Sequence, residues 1–157
     1  MNNTGKLILS LTICQFAGVI GALFNTQSAR TWYNLIEKPA FVPPPWVFGS
    51  VWLFLYMLMG VSLFLVWSAG VKPGTSHIAI ALFAIQLSLN AAWSFFFFYL
   101  KSPQYGFIEI LVLLFFIALT ILQFYRIRPL AAFLLVPYFL WATFATYLSY
   151  STWLLNR

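Results

Sequence analysis

The sequence predicts an all-α integral membrane protein, a bundle of five transmembrane helices with a long ordered first loop. Three observations predict it. Of the 157 residues 63% are hydrophobic and only 6% are charged, whereas a soluble domain carries roughly 25% charged residues. Apolar runs of about 20 residues recur along the chain, the length that crosses a bilayer as a helix. The runs are continuous rather than alternating, which selects helices over a barrel, the two structures that satisfy backbone groups in lipid.

The first span covers residues 7–24, 18 uncharged residues after Lys6. A basic start before an apolar stretch also describes a signal peptide. Thr26-Gln27-Ser28 lacks the alanines a cleavage site prefers, so a retained helix is the better reading. Residues 25–45 form the first and longest loop. Within 37–52, EKPAFVPPPWVFGSVW, stand four of the chain's eight prolines, Pro39, Pro43, Pro44 and Pro45. Each fixes its own φ, removes a donor and restricts its predecessor. This segment is therefore stiff and extended, and with Trp32, Tyr33 and Trp46 around it can lie across the bundle mouth as a lid.

The second span covers 46–69, and a polar turn over 70–77 with Pro73 and Gly74 follows. The third covers 78–100, the turn 101–104 contains Pro103, the fourth covers 105–125, and Pro129 separates it from the fifth, 130–155. Short connections make neighbouring helices antiparallel, so 1–157 forms a single five-helix domain with its termini on opposite sides. No internal repeat is evident, and the odd helix count disfavours an inverted-repeat transporter.

Net charge is +6, from eight Lys and Arg against Glu37 and Glu109. The basic residues sit singly or in pairs between apolar runs, a pattern for lipid headgroups rather than nucleic acid. Lys6, Lys72, Arg126 and Arg128 fall on one side, and Arg30, Lys38, Lys101 and Arg157 on the other. That even division gives no orientation. The lone Cys14 permits no internal disulfide. His77, the one histidine, lies in a loop, so neither a metal site nor axial haem ligation is expected. Phosphate-binding glycine loops, nucleophile elbows and metal-ligand clusters are absent from the sequence.

The residues that could carry chemistry are polar or aromatic positions inside spans. Trp52 shares a helical face with Phe48 and Tyr56, and Trp141 shares one with Pro137, Ala145 and Leu148. Both indoles also read as packing residues, and their depths match only loosely. Gln86 and Asn90 lie mid-membrane in the third span, followed by Trp93 and Phe97. An amide in hydrocarbon faces the bundle interior or a cavity. An interhelical hydrogen bond and a ligand contact explain Asn90 equally well, with Gln15 as a further polar partner. Glu109 lies about one turn inside the fourth span and is expected to reach the interface. Ala84, Ser88 and Ala92 recur every four residues, a stripe that permits close approach of a second copy or of a helix within the monomer. Gly18 and Ala22 form a second small-residue pair.

These residues resemble the translocator protein or tryptophan-rich sensory protein family, also called the peripheral benzodiazepine receptor family. The matching segments are Trp32-Tyr33, Lys38-Pro39, Pro43-Pro44, Trp46-Val47-Phe48-Gly49, Trp52, Tyr56, Met59-Gly60, Asn90, Val136-Pro137-Tyr138 and Trp141-Ala142-Thr143-Phe144-Ala145-Thr146. The resemblance implies five transmembrane helices, commonly a homodimer, and a pocket under the first loop for porphyrin or haem and for isoquinoline or benzodiazepine-type drugs. Tyr33, Trp52, Asn90, Trp141 and Ala145 match its pocket residues. Position beside these, on the same faces or in the lid, adds Trp32, Pro44, Trp46, Phe48, Tyr56, Gln86, Trp93, Phe97 and Leu148 as candidates. Some bacterial members promote light- and oxygen-dependent porphyrin breakdown, which the resemblance assigns to the indoles of Trp52 and Trp141. No cofactor is required beyond the porphyrin or haem ligand itself.

Departures matter as well. Phe41 stands where many members carry Trp. In the sterol motif Leu148 and Tyr150 are present, but six residues separate Tyr150 from Arg157 and the pattern allows five at most. Sterol binding is therefore expected to be poor, and no basic tail follows Arg157. Both features suit a member in a prokaryotic cell membrane. The functional expectation is a membrane receptor for tetrapyrroles. A small porphyrin or amphiphile transporter is the alternative, and a purely structural protein leaves the aromatic lid unexplained.

Overall fold

In the computed structural model, residues 2–70 and 75–157 are described, with the backbone alone at 26–30, 75 and 76. Most of the second connection, with Lys72, Pro73 and Gly74, and the Arg30 side chain lie outside the described residues. The elements are α1 (Asn3–Arg30), α2 (Trp32–Leu35), α3 (Pro45–Ser68), α4 (Thr75–Ser94), a π-helical turn (Phe95–Tyr99), α5 (Pro103–Ile127) and α6 (Pro129–Leu155). Five of them are long and apolar enough to cross a membrane.

Local chemistry sets where the helices start. Pro45, Pro103 and Pro129 each occupy the first turn of a helix, where the missing N–H costs nothing and the fixed φ is already helical. Arg128, before Pro129, is accordingly extended, with φ −152° and ψ 103°. Side chains complete two other starts. The Asn2 side chain accepts from the Gly5 N–H at 2.8 Å, and Ser102 Oγ accepts from the Tyr105 N–H at 3.3 Å.

Three elements differ from the sequence expectation. Helix α4 begins at Thr75, so His77 stands in its first turn and not in the second connection. The first loop is shorter than 25–45, because α1 continues to Arg30 and α2 takes Trp32–Leu35. Residues 25–30 hold no proline or glycine, so the helix continues past the end of its apolar run. Only the proline-containing stretch from Ile36 to Pro44 is extended lid. The third span does not remain α-helical to its end. In the turn Phe95–Tyr99 the Leu100 N–H donates to the Phe95 carbonyl at 2.9 Å, a five-residue step. Two consecutive rings, Phe97 and Phe98, are buried there. Lys101 then reverses the chain at φ 52°.

The helices close a ring in the order α1, α3, α6, α5, α4. Tyr138 of α6 is fully buried inside it, with Met59 of α3, Phe83 of α4 and Leu113 of α5. Gly18 is spent within the ring: a Cβ there would lie 2.5 Å from the Tyr56 ring. The Gly18/Ala22 surface is thus used inside the monomer. The other small-residue stripe faces outward, with Ala84 and Ser88 exposed and Ala92 half-buried. Ser88 Oγ donates only to the Ala84 carbonyl of its own helix, at 2.9 Å.

Candidate functional site

At the lid end of the ring lies a cavity lined by Phe48 and Trp52 of α3, Asn90 and Trp93 of α4, Ile110 and Leu113 of α5, and Ala142 and Ala145 of α6. The space open to the centre of a water-sized sphere is about 30 Å³, room for one or two waters. Its walls are ring faces and small aliphatic groups, and Asn90 supplies its amide.

That amide belongs to a directional hydrogen-bond chain. The Tyr56 hydroxyl donates to Asn90 Oδ1, Asn90 Nδ2 donates to the Tyr138 hydroxyl at 3.0 Å, and that hydroxyl donates to Gln86 Oε1 at 2.9 Å. Three helices, α3, α4 and α6, are tied together by four buried side chains. Gln15 is no part of it; its Nε2 donates to the Leu53 carbonyl at 3.3 Å and joins α1 to α3. In the aromatic wall Trp52 lies 5.7 Å from the Tyr56 ring and 6.2 Å from the Tyr138 ring. Phe48 meets Trp141 edge-on at 5.6 Å. The two indoles therefore sit on one α3–α6 seam, about a turn apart in depth. Trp52 lines the cavity, and Trp141 stands behind Phe48.

An aromatic stack joins the cavity to the lid. Trp93 stacks on Phe97 at 5.0 Å, and Trp32 and Tyr33 of α2 meet Phe97 edge-on at 6.0 and 6.1 Å. Phe97 rests on Gly106 of α5, where a Cβ would lie 2.6 Å from its ring. Burial raises the Tyr33 hydroxyl pKa above its ordinary value, and Lys38 Nζ lies 4.9 Å over the ring. The lid is fastened at α6 as well. The Glu37 N–H donates to Asn156 Oδ1 at 3.0 Å, and Asn156 Nδ2 donates to the Glu37 carbonyl at 2.8 Å. Phe41 meets Phe144 edge-on at 6.2 Å. This fastening is possible because α6 runs on from Trp141 to Leu155 while α3 begins at Pro45. At 1.5 Å per residue α6 stands roughly 16 Å taller.

Of the residues singled out from the sequence, Phe48, Trp52, Asn90, Trp93 and Ala145 line the cavity. Tyr56, Gln86, Phe97 and Leu148 are buried around it, and Trp32 and Tyr33 form the lid contact. Pro44 and Trp46 are exposed and stand outside the wall; Trp46 is 73% exposed. Trp46 lies in the first turn of α3, so its own helix start points it away from the bundle.

Sequence reasoning passed over Ile110, Leu113 and Ala142, aliphatic residues like dozens of others in the chain. It gave Tyr138 no site role, although a hydroxyl mid-helix beside two amides was a readable signal. Glu109 departs furthest from expectation. It does not reach the interface: it is 7% exposed, and both carboxyl oxygens are buried without a partner. Phe97 packs over Gly106, and Phe107 stacks on Trp153 at 5.6 Å. One turn inside α5 is therefore already enclosed by protein.

Five apolar helices packed into a closed ring define a multi-pass integral membrane protein of the helical-bundle class. Residues 10–154 match the TspO/MBR family model, and the chain belongs to that family. It is 40% identical to the tryptophan-rich protein TspO of Chlorobaculum tepidum, over 96% of this chain and 95% of that one. It is also 40% identical to the tryptophan-rich protein TspO of Archaeoglobus fulgidus, over 98% and 99%. The translocator protein of Homo sapiens is 36% identical over 85% of this chain and 80% of its own.

Proposed function

We propose that this membrane protein binds flat tetrapyrroles, protoporphyrin or haem, under its lid, with light- and oxygen-dependent porphyrin breakdown at the indoles of Trp52 and Trp141. The observation that carries the reading is the cavity wall itself. Phe48, Trp52 and Trp93 present rings around one polar group, Asn90, beneath a stiff aromatic lid. Stacking on such walls holds a flat macrocycle without axial ligation of a metal. Ligand sites of drug-sized molecules occupy about 300–1,000 Å³, so the small cavity has to widen as the lid lifts. Isoquinoline or benzodiazepine-type drugs fit the same walls, whereas sterol affinity is poor. The setting is a prokaryotic cell membrane, with a second copy packed on the Ala84, Ser88 and Ala92 stripe.

An indole beside an excited tetrapyrrole can give it an electron. Dioxygen, the oxidant, then adds to the macrocycle radical anion, and return of one electron to the indole radical cation leaves an oxygenated ring that can open. Phenylalanine keeps a ring but is a far poorer donor. An aromatic pair contributes roughly 0.5–1.5 kcal/mol beyond area burial, so Trp52→Phe and Trp141→Phe should weaken protoporphyrin binding only about three- to tenfold. Bleaching of bound porphyrin under light and oxygen should slow much further. Trp46→Phe, at an exposed site, should bleach normally. Fluorescence-quenching titrations and bleaching rates on purified protein check this. No saturable binding of protoporphyrin or haem removes the whole reading, and wild-type bleaching in all three variants removes the indole chemistry alone.

A second reading, transport of porphyrin or another amphiphile, gains from one observation, the burial of Glu109. Transporters keep ionisable groups inside the membrane for coupling. Saturable counterflow of labelled porphyrin in sealed proteoliposomes would favour it.

A further inference from the structure

Glu109 is used by neither the hydrogen-bond chain nor the aromatic walls. Its two carboxyl oxygens are buried without a hydrogen-bond partner. The next residue, Ile110, and Leu113 one turn on are the α5 lining of the cavity. One turn back, Gly106 carries Phe97, the ring that stacks on the cavity residue Trp93. Orphaned donors gather in the same region: Trp93 Nε1, Trp141 Nε1 and Gln86 Nε2 are buried and unpartnered too. Lys38, Lys101 and Arg157, the basic residues whose side chains are described at this end of the bundle, stand in the lid, the turn and after α6, and all three are exposed.

A buried carboxyl without a partner is unfavourable, and a buried carboxylate far more so, unless a cation or a donor meets it. Packing alone would be served better by leucine. We propose that Glu109 is an acidic anchor beside the cavity, and that the site takes a second ligand class: flat aromatic molecules with a protonated amine or amidine on their edge. The faces of Trp52 and Trp93 attract a cationic ring by their quadrupoles. Glu109 supplies the counter-charge in a low-dielectric setting, where a charge-assisted hydrogen bond is strong. The proposal shares with the tetrapyrrole reading the premise that the cavity is the ligand site, and nothing else.

9-Aminoacridine and acridine test it. They share one three-ring plane, and at mildly alkaline pH the first is protonated and the second neutral. Each is titrated by fluorescence into the full chain in neutral-detergent micelles. Wild type should bind 9-aminoacridine about ten- to hundredfold tighter than acridine. Glu109→Gln should remove most of that preference by weakening 9-aminoacridine alone, leaving the few-fold share of the indole faces, and Glu109→Asp should keep more of it. Glu37→Gln, at the exposed lid acid, should keep the wild-type ratio. Acridine binding reports that each variant is folded. Equal affinities in wild type overturn the proposal whatever the variants do, and so does a wild-type ratio in folded Glu109→Gln. Protoporphyrin titrated on the same samples separates the two readings. Lost porphyrin binding with the cation preference intact removes the tetrapyrrole reading and supports the anchor.

Discussion

Tyr138 and Asn90 hold the centre of the bundle by hydrogen bonds whose directions agree. The Tyr138 hydroxyl accepts from Asn90 Nδ2 and donates to Gln86 Oε1, so it gives one bond and takes one. Tyr138→Phe keeps the ring and leaves both amides short of a partner. In water an unsatisfied buried group costs about 1–3 kcal/mol, but interhelical bonds in membranes average nearer 0.6, because the unfolded chain in lipid also finds partners. The membrane figure governs here, and a loss of about 1 kcal/mol is expected. Unfolding in mixed micelles with increasing dodecyl sulfate measures it. Tyr138→Phe and Asn90→Leu should be non-additive, since both break one shared bond. Additive losses would mean that the two residues act separately. At this scale the sequence was readable where a polar atom sat in an apolar run, as at Asn90 and Gln86. It misled at Glu109, because depth along a helix was taken for depth in the protein. Phe97 and Trp153, covering that end of α5, are tertiary facts that spacing along one helix does not contain.

Between elements, the lid is held to α6 by an amide that mimics a strand partner. Asn156 gives and takes one hydrogen bond with the Glu37 backbone, and its Nδ2 also donates to the Thr152 carbonyl at 2.8 Å. The site is exposed, so each bond contributes at the low end of about 0.5–1.5 kcal/mol. Asn156→Leu should therefore raise the dissociation rate of bound protoporphyrin about three- to tenfold, by populating the open lid, while leaving helix content unchanged. Stopped-flow chase of preloaded protein with excess unlabelled ligand reads the rate; an unchanged rate would place the latch elsewhere, in the Trp32 and Tyr33 contact with Phe97. The five spans were legible because each is a continuous apolar run bounded on at least one side by proline or a basic residue. The helices start at Pro45, Pro103 and Pro129 themselves, one or two residues before the starts read from the apolar runs. The end of α1 was not legible, since polar residues 25–30 continue a helix as readily as they begin a loop. Nor was the π-helical turn, because a run of four phenylalanines gives no period from which a register shift could be read.

For the whole molecule, the ring closes its apolar interior and leaves one face whose residues are small. Ala84 and Ser88 point away from the ring, and the Ser88 hydroxyl is satisfied within α4. Lipid gains nothing from small residues, but a second helix does, because backbones approach closely where side chains are short. The sequence left open whether the stripe packs inside the monomer. The ring order settles that part, since α4 meets α1 and α5 through its other faces, where Phe83, Gln86, Leu87 and Asn90 are buried. A homodimer through this face follows as an expectation. Ser88→Leu places bulk at the middle of the stripe without touching the cavity or the hydrogen-bond chain. It should therefore lower the crosslinked dimer fraction in mild detergent and leave protoporphyrin affinity within about twofold, since Ser88 is exposed and is not part of the cavity lining. Crosslinking across a protein-to-detergent dilution series, with porphyrin titration on the same samples, separates the two effects. A dimer fraction equal to wild type would move the interface off α4. A joint loss of dimer and of porphyrin affinity would mean instead that the second copy shapes the cavity through α4, whose inner face carries Asn90 and Trp93.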